Sequence, residues 1–598
     1  MGSVTLLENI GIREEVIKKV SSIAQKAHKY TGKQLYVSQK IPGSSELVFS
    51  FPGSWSISDW FKGSSFGEIK VDVELLPSLK SIGLADTATV NEAFLHRFKL
   101  VLANPQFRKE VGTAAAEGKQ VVFTGHSLGG PIAILATIWF LEQYIRPNLS
   151  KTAPFCVTFG SPLVGDRIMG HAVRRENWSR YFINFVMKYD IVPRISLTPL
   201  SSLQYHLQQI LNFFNPKSSL YMKRPLSEAS DFYITVMRNA ASIASHAACK
   251  IMGSTNLLLE TLSNFIELSP YRPFGTYIFC TGNGKLVVVR NPDAILQLLF
   301  YTSQLNSRTE LQVVAHSSLN DHLNYKDEMQ ECLAMQSVTC FDDHHLEALR
   351  LSSDDVNSEA SVALNDLGLS ARARLCLRAA GELEMQKRNN QTAIDNKMKD
   401  IKKGIEMLQS YKARYQQKAG YYDAFKISEN VADFDANVKR LELAGIWDEI
   451  IEMLKRSELP DEFEGGKEWI NIGTKYRRLV EPLDIANYYR HLKNEDTGPY
   501  MEKGRPRRYK CTQRWLEHAE RMSNESLESC FWAEVEELCI KAGSPGIKDS
   551  VLLLKRKAEE WIRERDLDKD VFLEGSTFDK LLKEIDQNVS FKSPWSST

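Results

Sequence analysis

Nothing in the 598 residues supplies a disulfide framework. The nine cysteines are odd in number, scattered between positions 156 and 539, and no two are spaced as CxxC. They read as reduced thiols of an intracellular protein, neither paired staples nor a zinc site. Charge of one sign is also missing. Lysines and arginines number 75 against 74 acids, a net +1, which gives no support for nucleic acid or an anionic surface as the dominant partner. The first residues lack the basic start and apolar run of a signal peptide, and Leu6 stands where myristoylation needs serine or threonine. No apolar stretch reaches the length of a membrane span. A soluble intracellular chain of two or three domains is the expectation.

What is present centres on residues 121–130. Val121, Val122, Phe123 and Thr124 lead into Gly125, His126, Ser127, Leu128 and Gly129, a G-x-S-x-G nucleophile elbow. A strand must turn sharply into a helix there, so the residues two before and two after the serine must be small. Residues 131–141 supply the helix, with Pro131 tolerated in its first turn. That helix is apolar nearly all round, as one buried behind a sheet should be. The pattern predicts an α/β-hydrolase core with Ser127 as nucleophile.

A buried strand is expected at 46–51, a second within 155–166 that ends in a turn containing glycine and proline, and a third within 182–194 whose C-terminal end presents Asp190 just before the stop at Pro193. In doubly wound sheets the chemistry gathers at the carboxyl ends of strands, where Ser127 and Asp190 both fall. This fold orders its triad as Ser, Asp, His. Spacing alone does not choose between His316 and His322. The base is assigned to His322 in the segment 318–325, read as a loop; it would take the Ser127 proton while Asp190 fixes its tautomer. The amide of Leu128 and Ser54, in the loop after strand 46–51, are the candidate oxyanion donors. That loop also reads as a simple turn.

These residues reach a family. Phe51–Ser54, Thr124–Gly130, Val157–Gly165 and Asp190–Pro193 resemble class 3, fungal-type lipases. Lys70, Ala88–Phe94, Ile134–Trp139, Ile191–Ile195, Glu267–Pro273 and Asp293–Gln297 are similar to the plant enhanced-disease-susceptibility family of lipase-like immune regulators, and this resemblance runs the whole length. It implies that His322 is the triad histidine. Ordinary lipases commonly carry Arg-Gly-Thr after the oxyanion strand, whereas this chain has Pro52, Gly53 and Ser54, a departure that bears on donor geometry and turnover.

Residues 253–266 read as a helix with Ser254 as N-cap. Leu258, Leu262, Phe265 and Ile266 form one apolar stripe. The stripe suits packing on its own core or insertion into a partner's groove. The resemblance implies the second, with a paralogue of the phytoalexin-deficient or senescence-associated type as heterodimer partner.

The texture changes near 346. Residues 1–345 form the expected hydrolase domain, 346–392 a polar connector, and 393–598 an all-helical bundle. Ile394, Met398, Ile401, Ile405, Leu408, Tyr411 and Tyr415 recur at steps of three and four, a coiled-coil-like seam. Helices are expected at 434–456, 467–492, 513–522, 528–541 and 548–565. Between 488 and 509 cations and tyrosines interleave on a turn-rich loop, which could fork onto phosphate and stack on a base or be a solvated basic loop. The resemblance implies a cavity between two helical domains that receives a ribosylated adenine-nucleotide signal. His491, Lys493, Lys503 and Arg508 match its cationic positions, and Tyr422 and Phe425 are expected to face it.

No metal, cofactor or direct nucleic-acid contact is expected. The resemblance implies a heterodimeric immune scaffold downstream of Toll/interleukin-like resistance receptors. It would relay to helper nucleotide-binding resistance proteins, in nucleus and cytoplasm. The alternative is an active serine acyl hydrolase using Ser127, Asp190 and His322.

Overall fold

The computed structural model describes residues 10–30, 34–43, 45–83, 86–223, 228–253, 267–305, 308–351, 359–427, 430–522, 525–541, 544 and 546–590. The chain divides into two compact units, 1–81 with 86–386, and 82–85 with 387–598.

The first unit is built on a sheet whose strands are rich in valine, isoleucine and phenylalanine. In chain order the strands are β1 (Val37–Lys40), β2 (Glu46–Phe51), β3 (Glu68–Lys70), β4 (Thr89–Asn91), β5 (Gln120–His126), β6 (Phe155–Phe159), β7 (Phe182–Met187), β8 (Thr276–Cys280), β9 (Lys285–Val289) and β10 (Ser337–Phe341). Eight of them form one sheet in the order β1-β2-β5-β6-β7-β8-β9-β10, while β3 and β4 make a separate antiparallel pair. Strands β2, β5, β6, β7 and β8 run parallel. Helices cover such strands on both faces, which is why Val121, Val122 and Phe123 of β5 are all buried.

Helix α1 (Glu14–His28) lies against β5 and β2, and α2 (Gly129–Phe140) continues from the elbow with every residue buried. Each large apolar side chain of α2 removed from water is worth about 1.5–3 kcal/mol, so the elbow is anchored by the helix that follows it. A Cβ on Gly125 would overlap the backbone of Gly129, and one on Gly129 would overlap the Phe51 carbonyl. The turn is therefore closed to any larger residue at either position.

Two later helices complete the site. Helix α3 (Leu311–Leu323) carries His322 in its last turn, and α4 (Tyr325–Met335) follows after Asn324. The segment 318–325, expected as a loop, is thus mostly helical. The expected connector 346–392 is also structured. Helices Glu359–Asp366 and Ala371–Asn396 run through it, and Leu346, Leu364, Leu367 and Leu377 are buried in a core with β9 and Phe341. Polar neighbours had masked those apolar positions.

The second unit is helical: α5 (Met398–Tyr415), α6 (Val431–Lys455), α7 (Lys467–Arg490), α8 (Arg507–Glu520), then Phe531–Ile540, Ile547–Glu564 and Thr577–Ser590. The expected seam is split between two helices, because Ile394 belongs to the helix that ends at Asn396. Ile401, Ile405, Leu408 and Tyr411 of α5 are buried in the bundle with Leu443 of α6, Leu483 of α7 and Trp515 of α8. The stripe Leu258, Leu262, Phe265 and Ile266 lies outside the described residues.

Candidate functional site

Ser127 leaves β5 with φ of 55°, the left-handed conformation that side chains other than glycine's adopt only under constraint. The constraint is the sheet: the Ser127 amide donates to the Phe159 carbonyl at 3.0 Å, and its own carbonyl accepts from Gly130 at 2.9 Å. The serine side sits over the carboxyl ends of β5 and β6, only 2% exposed.

Asp190 follows β7 and is fully buried. Its carboxylate accepts from Tyr325 Oη at 2.7 Å and from the Val192 amide at 2.9 Å. It faces His322 Nδ1 at 3.1 Å from Oδ1 and 3.0 Å from Oδ2. A carboxylate only accepts, so Nδ1 carries the proton and Nε2 presents its lone pair, the tautomer a general base needs. Between the two histidines the sequence left open, geometry selects His322; His316 instead meets Asn320 one turn along α3 at 3.1 Å.

The Ser–His arm is not closed. Among the described residues no hydrogen bond joins Ser127 Oγ to His322 Nε2, and that nitrogen is buried without a partner. Phe214 packs on the His322 ring at 4.6 Å between centroids. Two further imidazoles crowd the His322 ring. His126 stacks on His322 at 4.5 Å, and its Nε2 donates to the His322 carbonyl at 2.6 Å. His28, from the end of α1, meets His126 at 4.3 Å and packs against Gly53. Burial is the leading cause that pulls His28 down to about 3. His126 falls well below its ordinary value for the same leading reason.

Leu128 caps the N-terminus of α2, as the first oxyanion donor requires. Ser54 is differently engaged. Its hydroxyl donates to Asp59, which Arg97 also holds at 3.1 Å, and Arg97 reaches the Pro52 carbonyl at 3.4 Å. The Pro-Gly-Ser loop is therefore braced from outside by an ion pair. Two further side chains, Arg194 and Tyr325, support the site, and the sequence had assigned neither a role. Arg194, fully buried, ties together the carbonyls of Asp190, Lys188 and Leu299. Tyr325 bridges the Met187 amide to Asp190. A tyrosine three residues after His322 was the available clue.

In the second unit the predicted cations separate into two kinds. His491, Lys493 and Lys503 are exposed. Arg508 is committed: it pairs with Asp448 at 2.8 Å and Asp484 at 2.6 Å, and Asp484 also accepts from Tyr509. Arg505, equally basic on paper, is buried against Glu481. Tyr422 and Phe425, expected to face a cavity, are fully buried in the bundle of the single chain. Tyr422 stacks on Trp532 at 4.2 Å and donates to Glu536, and Arg490 lies over Phe425 at 5.6 Å. Aromatic area this large is retained in the core unless something displaces it.

The sheet order, the elbow and the Asp190–His322 pair define a class 3 lipase-like α/β hydrolase joined to a helical bundle. The class 3 lipase family matches residues 48–199, and the enhanced disease susceptibility 1 protein EP domain matches residues 406–596. Protein EDS1L and Protein EDS1 of Arabidopsis thaliana are each 43% identical, over 94% of this chain and 95% of theirs. Lipase-like PAD4 of the same plant is 26% identical over 70% of this chain and 64% of its own. The chain belongs to the enhanced disease susceptibility 1 family of lipase-like plant immune regulators.

Proposed function

We propose that this chain is an immune-signalling scaffold that uses the hydrolase fold structurally. It pairs with a lipase-like paralogue, and its helical unit takes a ribosylated adenine-nucleotide signal. The complex relays activation of Toll/interleukin-like resistance receptors to helper nucleotide-binding resistance proteins, in nucleus and cytoplasm. The observation that carries this reading is the division of labour between the units. The serine is enclosed, with its Ser–His arm open, while His491, Lys493 and Lys503 stand exposed on one segment and make no ion pair among the described residues. Exposed uncommitted cations beside a committed arginine suit a phosphate-bearing ligand. Lys503 brings charge without the planar fork of an arginine.

The test is pathogen growth in a plant lacking its own copy, complemented at matched expression. Ser127→Ala, Asp190→Ala and His322→Ala together are expected to restore resistance. Leu258→Ala with Leu262→Ala, and separately Lys493→Glu with Lys503→Glu, are expected to fail. Loss of resistance in the triad variant, with the protein folded and partner-bound, would sink the scaffold reading.

A second reading, acyl hydrolysis, is favoured by one observation: the Asp190–His322 pair holds the base tautomer beside a strained serine. Labelling of Ser127 by a fluorophosphonate, abolished in Ser127→Ala, would support it.

A further inference from the structure

Away from the serine, two thiols and a carboxylate meet between the sheet and a helix. Cys280 ends β8, while Glu328 and Cys332 stand four residues apart on α4 and so project from one helical face. The two Sγ atoms and a Glu328 oxygen all lie within 4.8 Å of one another. Both cysteines are fully buried and Glu328 is half-buried. The Cys332 thiol donates to Glu328 Oε1 at 3.2 Å.

We propose that Cys280, Glu328 and Cys332 bind one thiophilic divalent cation of the Zn²⁺ class, with water in the fourth position on the Glu328 side. Zinc takes sulfur at about 2.3 Å and carboxylate oxygen at about 2.0–2.2 Å, which puts tetrahedral ligand atoms about 3.5–3.8 Å apart. The trio already lies inside the envelope from which such a shell closes. Paired thiolates select zinc-like ions over magnesium or calcium. The ligands come from a strand end and a helix, not a loop, and so are held in position before the ion arrives. Two thiolates and a carboxylate around a dication leave one negative charge, and the half-exposed Glu328 side lets solvent share it. The spacing 280, 328, 332 has no CxxC signature, which is why the sequence reading set a zinc site aside.

The site would clamp α4 to β8. Tyr325, one turn before Glu328 on the same helix, is the residue that holds the Asp190 carboxylate. An ion that binds the folded chain alone stabilises it by mass action, and here it would steady the floor of the serine site.

The full chain, purified without chelator, is assayed for metal by elemental mass spectrometry, then stripped and titrated with Zn²⁺ and Co²⁺. One equivalent of Zn²⁺ is expected, with thiolate-to-cobalt charge-transfer absorption and a rise in unfolding temperature. Cys280→Ser and Cys332→Ser should lose the cobalt band. Glu328→Gln, the variant least disturbing to the core, should weaken binding by about tenfold or more, since it removes one of three protein ligands. Absence of uptake and band in the wild type overturns the proposal, as does equal binding by wild type and all three variants. A Cys280–Cys332 disulfide in the intact mass of the non-reduced chain, persisting with Zn²⁺ present, also overturns it, because the thiols would then be a redox pair.

Discussion

His28 should make the first unit acid-labile by an amount that can be worked out. Its imidazole is buried against Gly53, His126 and Trp55, and burial holds it neutral down to about 3. An unfolded histidine titrates near 6.5. The native state therefore binds this proton less readily than the unfolded state, so stability is intact above 6.5 and is lost as pH falls toward 3. The slope is about 1.4 kcal/mol per pH unit, reaching about 2 kcal/mol at pH 5 and about 4 kcal/mol at pH 3. His126 moves in the same direction. Asp321 opposes them. Burial, then the Asp190 charge, raises it to about 7, so the folded chain keeps a proton that the unfolded chain has released. Its contribution is present below the ordinary aspartate value and is lost as pH rises through 7. Urea unfolding, followed by hydrogen exchange of peptides from β5 and β6 between pH 7.5 and 5, separates the two effects. His28→Asn should gain on the wild type by about 2 kcal/mol between pH 6.5 and 5, whatever fixed cost its altered packing brings. Asp321→Asn should gain in the opposite direction, as pH rises from 5 to 7. A His28→Asn curve parallel to that of the wild type over this range would refute the claim that His28 is folded in as a neutral imidazole.

Two further outcomes follow from close packing. Gly160 has φ of 57°, and a Cβ there would overlap Asp190 Oδ2 and lie 2.9 Å from His322 Nδ1. Gly160→Ala should break the Asp190–His322 hydrogen bond at a cost of about 2 kcal/mol; a retained low-field imidazole N–H proton resonance would contradict this. In the second unit Arg477 is fully buried on Ser526, Ser529 and Glu528, and with Arg478 it draws Glu528 down to about 2 despite burial. That stabilisation is present above the ordinary glutamate value and lost as pH falls toward 2. Arg477→Met should cost the helical unit about 3–5 kcal/mol at neutral pH, with partial recovery in Arg477→Met/Glu528→Met. If thermal unfolding finds the double variant no more stable than the single one, the loss is packing and not a stranded charge.

Local pattern was enough for the elbow, for the strand at 46–51, for strands within 155–166 and 182–194 though not for where they stop (Phe159 and Met187), and for most of the helical bundle. Each of these is encoded by residues within one element: glycine where a Cβ cannot fit, a run of β-formers, an apolar residue every three or four places. Triad order could be read too, because chain order and strand ends are one-dimensional facts. Spacing could not choose His322 over His316; the family resemblance implied His322, and the tertiary structure selects it by geometry, because the choice depends on which imidazole the end of β7 reaches across more than 130 residues. The fold alone likewise buried Arg505 and tied down Arg508, leaving Lys493 and Lys503 in solvent, although all four look alike as sequence. It also turned the expected connector into core helices and brought Cys280 to Glu328 and Cys332. Composition and periodicity describe what each residue is. What each one does depends on the partners that chain folding brings within a few ångströms, and on how much water is left between them.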